Sequence, residues 1–314
     1  MSQEKFVNYN KEGEKKERIM QYTLTNSYLK ATFESFGAEL ISLQDTDGTE
    51  YVWCGDSAFW GRHAPILFPI VGKLSNGKYH FKGQEYSMGQ HGFARDMEFT
   101  FLSQSEDEIW FVLEATEETK QKYPFDFRLE VGYKLIENTL KVLWKVINPA
   151  EEVLHFSIGA HPAFMCPLDE ETKQSDYFLQ LDVEEAEFYP ASLITGQPVM
   201  EKQMLSIPGG RIQMTEEFFD IGQDRGTYIF ENYQVKEAGL VRPDGRPYVT
   251  LSFDTPLVAV WTPEKKKAPF VCIEPWWGRG DAEGFEGSLD EREWAQKLAP
   301  GQVFESGYDI RIEK

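Results

Sequence analysis

From Met20 onward, apolar and polar residues alternate with a period of two, in short runs interrupted by turn residues. Tyr79 and Phe81 share one face after an Asn76-Gly77 turn, and Gly83 opens a second run toward Tyr86. Ile109 to Glu114 follows the acidic turn Ser105-Glu106-Asp107-Glu108, while Phe127 to Leu135 and Leu140 to Ile147 alternate around Glu137-Asn138. Near the end, Phe304, Ser306, Tyr308, Ile310 and Ile312 line one face beyond Pro300-Gly301. Successive side chains of an extended chain point to opposite faces, so these runs predict strands with one buried side. Their number and spacing predict a sandwich or barrel. Helix signals are confined to Glu117–Lys122 and Asp290–Lys297. Residues 1–19 are charged and aperiodic, which predicts a disordered extension. No linker or internal repeat divides the remainder, so 20–314 is expected to be one all-β domain.

At 314 residues the chain is long enough to bury about three quarters of the surface it exposes when unfolded. A formal charge of −20, from 52 acidic against 32 basic residues, repels nucleic acid and anionic membranes, whose binding needs clustered Lys and Arg. The charge leaves room for a small anionic ligand held by a few local arginines. Cys54, Cys166 and Cys272 are an odd number without CxxC spacing, which argues against a disulfide framework and against a structural zinc site. There is no apolar run of about 18 residues and no signal-peptide-like stretch, so the expected compartment is the cytoplasm.

Four segments carry candidate chemistry. In Leu154 to Phe164, one extended strand would place Phe156, Ile158 and Ala160 on one face and His155, Ser157, Gly159 and His161 on the other. The polar face, with a glycine, suits close approach of a ligand, although hydrogen-bonded structural histidines would fit the same pattern. Pro162 keeps His161 extended. In Phe270 to Gly278, Val271 and Ile273 face one way and Cys272 and Glu274 the other. A carboxylate ending so apolar a run needs donors or a shifted pKa, and can serve either as a general base or as a cap on loop amides. Trp276 and Trp277 offer rings for sugar stacking or for the core. Arg62 to Lys73 holds Pro65 and Pro69, which forbid a regular helix interior. Gln90 to Asp96 is a loop that carries His91 and Arg95.

Other motifs fail. There is no HExxH, Walker loop, GxGxxG or GxSxG, and Arg279-Gly280-Asp281 reads as a chance tripeptide. Taken in order, Arg62 to Lys73, His91-Gly92-Phe93-Ala94-Arg95, Gly159-Ala160-His161-Pro162-Ala163-Phe164 and Cys272-Ile273-Glu274-Pro275-Trp276 resemble the aldose 1-epimerase (galactose mutarotase-like) family. The match covers residues 21 to 313 and is nearest to the bacterial branch encoded beside lactose and other sugar operons.

The resemblance implies a large antiparallel β supersandwich whose concave face binds a monosaccharide. It implies Glu274 as the base that takes the anomeric proton and His161 as the acid that protonates the ring oxygen. His91 and Arg62 are implied as substrate contacts, beside Arg95 and Trp276. Mutarotation only moves protons, so neither cofactor nor metal is expected. Glu274 ionised with His161 protonated is the expected pair, favoured by mutual attraction. Neither Asp220 nor Asp224 lines up with the sugar-binding aspartate of galactose-specific relatives. The alternatives are a hexose-6-phosphate 1-epimerase, with Arg62 and Arg95 clamping the phosphate, and a non-catalytic sugar-binding module. The expected assembly is a monomer or homodimer.

Overall fold

The structure is a computed structural model that describes residues 19–192, 194–219, 225–263 and 267–314. Asp220, Asp224 and all of the predicted extension except Ile19 lie outside the described residues. The first strand, Gln21–Thr25, pairs with Leu29–Glu34 and that with Leu40–Asp45, giving a small three-stranded sheet.

Two large sheets follow, antiparallel in every ladder. The first has nine strands: from one edge, Arg211–Gln213, Phe178–Leu181, Glu237–Val241, Pro247–Phe253, Val303–Ile312, Thr139–Ile147, Arg128–Ile136, Glu108–Glu114 and Thr100–Gln104. The second has eight. Gln203–Ser206, Glu185–Ser192, Arg225–Phe230, Leu257–Trp261, Phe270–Trp277, Ile158–Ala160 and Ile66–Leu67 run in that order, and Ala163–Met165 also pairs with Phe270–Trp277.

The alternation explains the layering. Leu140, Val142, Trp144 and Val146 are buried, whereas Lys141 and Lys145 point outward to Asp309 and Glu305 on the neighbouring strand. Leu129, Val131, Tyr133 and Leu135 continue the buried face across the next ladder. Val271 and Ile273 of the second sheet join the same hydrophobic cluster, so the sheets pack face to face over one core. Burying each such large side chain contributes about 1.5–3 kcal/mol.

The predicted helix forms at Glu117–Lys122, capped by the Thr116 side chain on the Thr119 amide. The second predicted helix does not form. Leu289–Glu291 makes one 3-10 turn, and Gln296–Leu298 is a strand paired with Leu154–Phe156.

Candidate active site

The single extended strand expected within Leu154 to Phe164 is instead broken, into Leu154–Phe156, Ile158–Ala160 and Ala163–Met165. Ser157 leaves the ladder to donate its amide to Pro69, so Leu154–Phe156 joins the small ribbon while Ile158–Ala160 enters the eight-stranded sheet. His155 therefore ends among Phe81 and Phe125, apart from His161. Gly159 has a different use from the one its position suggested. A Cβ there would lie 2.6 Å from the Trp276 ring, so the glycine makes room for that indole.

Register brings the two central groups together. Gly159 pairs with Trp276 and Ala163 with Cys272, which sets His161 across from Glu274 on the adjacent strand. Directly opposed cross-strand side chains are in contact range. The His161 Nε2 lies 3.3 Å from the Glu274 Oε2, and both residues are buried. The approach does not meet hydrogen-bond geometry, which leaves the buried Oε2 without a donor from the protein. Three rings fix the imidazole: Trp60 stacks on it at 4.8 Å, and Trp261 and His91 meet it edge-on at 5.3 Å and 5.5 Å.

These groups line a cavity of about 400 Å³, within the usual small-molecule range. Arg62, Gln90, His91 and Arg95 form one side, and Ser192, Gly196, Pro198 and Thr227 contribute another. The sequence-predicted residues Glu274, His161, His91, Arg62, Arg95 and Trp276 all border it. Trp276 is tethered through its Nε1–H to the Ala160 carbonyl at 3.2 Å. Trp277 lies elsewhere, donating to Ser306 and packing on Phe304. Trp60 and Trp261 are site residues that the sequence reading missed.

Burial sets the electrostatics. It pushes the Glu274 carboxyl well above the usual carboxylate range, against smaller opposing effects from Trp276 and Arg95. It pushes His161 down to about 3, and the Arg95 charge adds to this. Burial thus works against the charged form of each group, and so against the expected ionised pair, whose mutual attraction has to offset that desolvation.

His91 is also held neutral by burial and by the neighbouring His161, Arg95 and Arg62. Its Nδ1 accepts the Gly72 amide at 3.1 Å, so a neutral ring carries its proton on Nε2; the Gln90 side-chain amide group 3.2 Å away then accepts that proton through its oxygen once the amide is turned over. Arg62 pairs with Asp96 at 2.8 Å. The Arg95 Nη2 donates to the Gln90 carbonyl, its buried Nε has no hydrogen-bond partner, and burial pushes its pKa down to about 10.

One wall of the cavity is a backbone seam. Gly72 has φ +75°, and a Cβ there would lie 2.4 Å from the Gly280 nitrogen. Buried ion pairs hold the seam shut: Arg292 to Asp281 at 2.7 Å and Arg279 to Glu231 at 2.5 Å. Asp281 also accepts the Ser75 amide and donates its own to the Lys73 carbonyl. Among the described residues, His161, Cys272 and Glu274 are the group that could hold a metal, with ligand atoms within 4.8 Å of one another.

An antiparallel supersandwich with an imidazole and a carboxyl opposed in one cavity is the galactose mutarotase-like architecture, and the chain belongs to the aldose 1-epimerase family, whose pattern matches residues 20–311. It is 30% identical over 305 residues to the plasmid form of protein LacX from Lactococcus lactis subsp. lactis, covering 93% of this chain and 99% of that one. Its fold matches a galactose mutarotase related enzyme from Lactobacillus acidophilus with a TM-score of 0.87 at 31% identity, over 94% of this chain and 98% of that one. A galactose mutarotase-like protein from Lactobacillus casei ATCC 334 gives a TM-score of 0.83 at 33% identity, over 93% and 100%. No helix among the described residues is long and apolar enough to cross a membrane.

Proposed function

We propose that the protein is a cytoplasmic, cofactor-independent aldose 1-epimerase that interconverts the α and β anomers of a free aldose, with Glu274 as base and His161 as acid. The observation that carries this is the opposed pair, 3.3 Å apart at the floor of the cavity. The anomeric hydroxyl and the ring oxygen share one carbon, so a donor and an acceptor at that separation can address both. Ring opening removes a proton from O1 and delivers one to O5, and rotation about C1–C2 before closure yields the other anomer.

The proton inventory fits this chemistry. One proton shared by the pair is enough, because each half-reaction only exchanges which partner holds it. A neutral carboxyl beside a neutral imidazole is one end of that exchange, and carboxylate with imidazolium is the other. Hydroxyl groups of a bound sugar would supply the donors that the Glu274 Oε2 lacks. With those, the Arg95 charge favours the carboxylate, while the face of Trp60 stacked on His161 favours an imidazolium. The His91 Nε2–H supplies a neutral donor for a sugar oxygen.

A second reading, an epimerase of phosphorylated aldoses, is favoured by Arg62 and Arg95 at the cavity border, where the Arg95 Nε makes no hydrogen bond and only a 3.8 Å ion-pair contact to Asp96. Anomer-exchange NMR over a panel of free and 6-phosphorylated hexoses and of pentoses tests both readings. Accelerated exchange of free sugars over the buffer blank is expected. Acceleration of phosphorylated sugars alone would give the second reading the site, and acceleration of none would remove both.

A further inference from the structure

We propose that His161, Cys272 and Glu274 form an inhibitory binding site for a soft divalent cation of the zinc class, which takes the nitrogen and oxygen required for proton transfer. The geometry comes from the sheet. Cys272 and Glu274 project from the same face of one strand, two residues apart, and His161 lies across from Glu274 on the neighbouring strand. The small Ala163 stands across from the thiol. All three residues are buried, and their ligand atoms lie within 4.8 Å of one another, with the His161–Glu274 pair at 3.3 Å. Zinc binds such atoms at about 2.0–2.3 Å, so side-chain adjustments alone would close the set around one ion.

The donors suit the cation. One thiolate, one imidazole and one carboxylate form the mixed sulfur, nitrogen and oxygen set that zinc accepts, and three protein ligands leave a fourth position for water or a sugar hydroxyl. That position faces the cavity, because His161 and Glu274 both border it. The thiol and the carboxyl each release a proton to solvent as they bind. Two anionic ligands, a neutral ring and a doubly charged cation sum to zero, as a buried site with Arg95 nearby requires. Glu274 Oε2 presently lacks a hydrogen-bond donor, and the ion would satisfy it.

The inhibition rests on the proposed roles of His161 and Glu274, whereas the binding does not. The test uses the full chain carrying Cys54→Ser, which removes the exposed thiol. Cadmium chloride is added and the ultraviolet thiolate-to-cadmium charge-transfer band is followed. Zinc binding is measured by calorimetry, with Cys272→Ala and Cys272→Val as comparison variants. One equivalent of cadmium should produce the band, and both variants should lack it. Their zinc affinity should fall by more than about 100-fold, since losing even an outer-shell partner costs about 10–100-fold. Zinc should inhibit anomer exchange in competition with sugar, while the variants keep their untreated rate and resist zinc. Absence of the band, or undiminished zinc affinity in a folded Cys272 variant, would overturn the site. Should the protein show no epimerase activity, the absorbance and calorimetry still decide the metal site on their own.

Discussion

Replacing Glu274 with glutamine tests the centre of the chemistry, because it keeps the shape and removes the titrating group. The carboxyl and imidazole stand 3.3 Å apart and both residues are buried, and among the described residues no other carboxylate lines the cavity to substitute for the lost oxygen. A positioned acid or base contributes about 10²–10⁴-fold, which is about 2.7–5.5 kcal/mol of barrier at about 1.36 kcal/mol per tenfold. Enzyme-dependent mutarotation of freshly dissolved α-aldose, followed by polarimetry against a buffer blank, should fall by that factor. Sugar affinity should stay within about tenfold, because the remaining wall contacts survive.

The same substitution has a stability signature. The folded pKa of Glu274 is raised above its ordinary value of 4.5, so above that pH the unfolded chain gives up a proton that the folded chain retains. The Glu274 contribution to wild-type stability is therefore fully present below about pH 4.5 and declines as pH rises toward the folded pKa, while His161 and His91, whose pKa values burial lowers, act in the opposite sense as pH falls. The variant has no such decline, so its unfolding free energy relative to wild type should grow with pH, by at most about 1.4 kcal/mol per unit. A wild-type rate in the variant would remove Glu274 from the mechanism, and a pH-independent stability difference would refute the account of its burial.

Two further substitutions probe the surroundings. Trp60→Leu removes the ring stacked on His161 and should lower kcat by about tenfold or more through misplacement of the imidazole while leaving KM within a few-fold; steady-state exchange rates at several sugar concentrations separate the two, and an unchanged kcat would leave Trp60 without that role. Asp281→Asn leaves the Arg292 guanidinium without its buried counterion, which should destabilise the fold by about 3–5 kcal/mol. Chemical denaturation measures this, and a loss below about 1 kcal/mol would show that the seam is held by other contacts.

Much of the fold was legible because half-buried strands announce themselves. Leu140 to Ile147 alternates in sequence as it does in the sheet, buried apolar residues against outward lysines. The stretch Asp290–Lys297 misled because its charged residues suit a helix surface. Ser288 caps a single turn with Glu291, and pairing with Leu154–Phe156 then draws the chain into a strand. Tertiary context overrode a weak local preference. The break at Ser157 was illegible for a similar reason: the acceptor of its amide is the carbonyl of Pro69, far away in sequence.

At the site, Glu274, His161, His91, Arg62 and Arg95 stand out in the sequence because their four segments, each weak alone, resemble the aldose 1-epimerase family when taken in order. Trp60 and Trp261 carried no periodic signal, although Trp60 stands only two residues before Arg62. Arg279-Gly280-Asp281 reads as a chance tripeptide in the sequence, and its structural part, in the buried ion pairs and the backbone seam, depends on partners far away in the chain. How strongly burial opposes the ionised pair depends on the surrounding packing, which the sequence alone does not supply.

The contact of Gly72 with Gly280 has a consequence for how the protein comes to exist in the cell. The two glycines stand more than 200 positions apart, and Glu274 leaves the ribosome long after His161. Until the segment that carries Glu274 and Gly280 has been synthesised, the earlier strands have nothing to close the cavity against, so ligand binding waits on contacts made across more than 200 positions of chain.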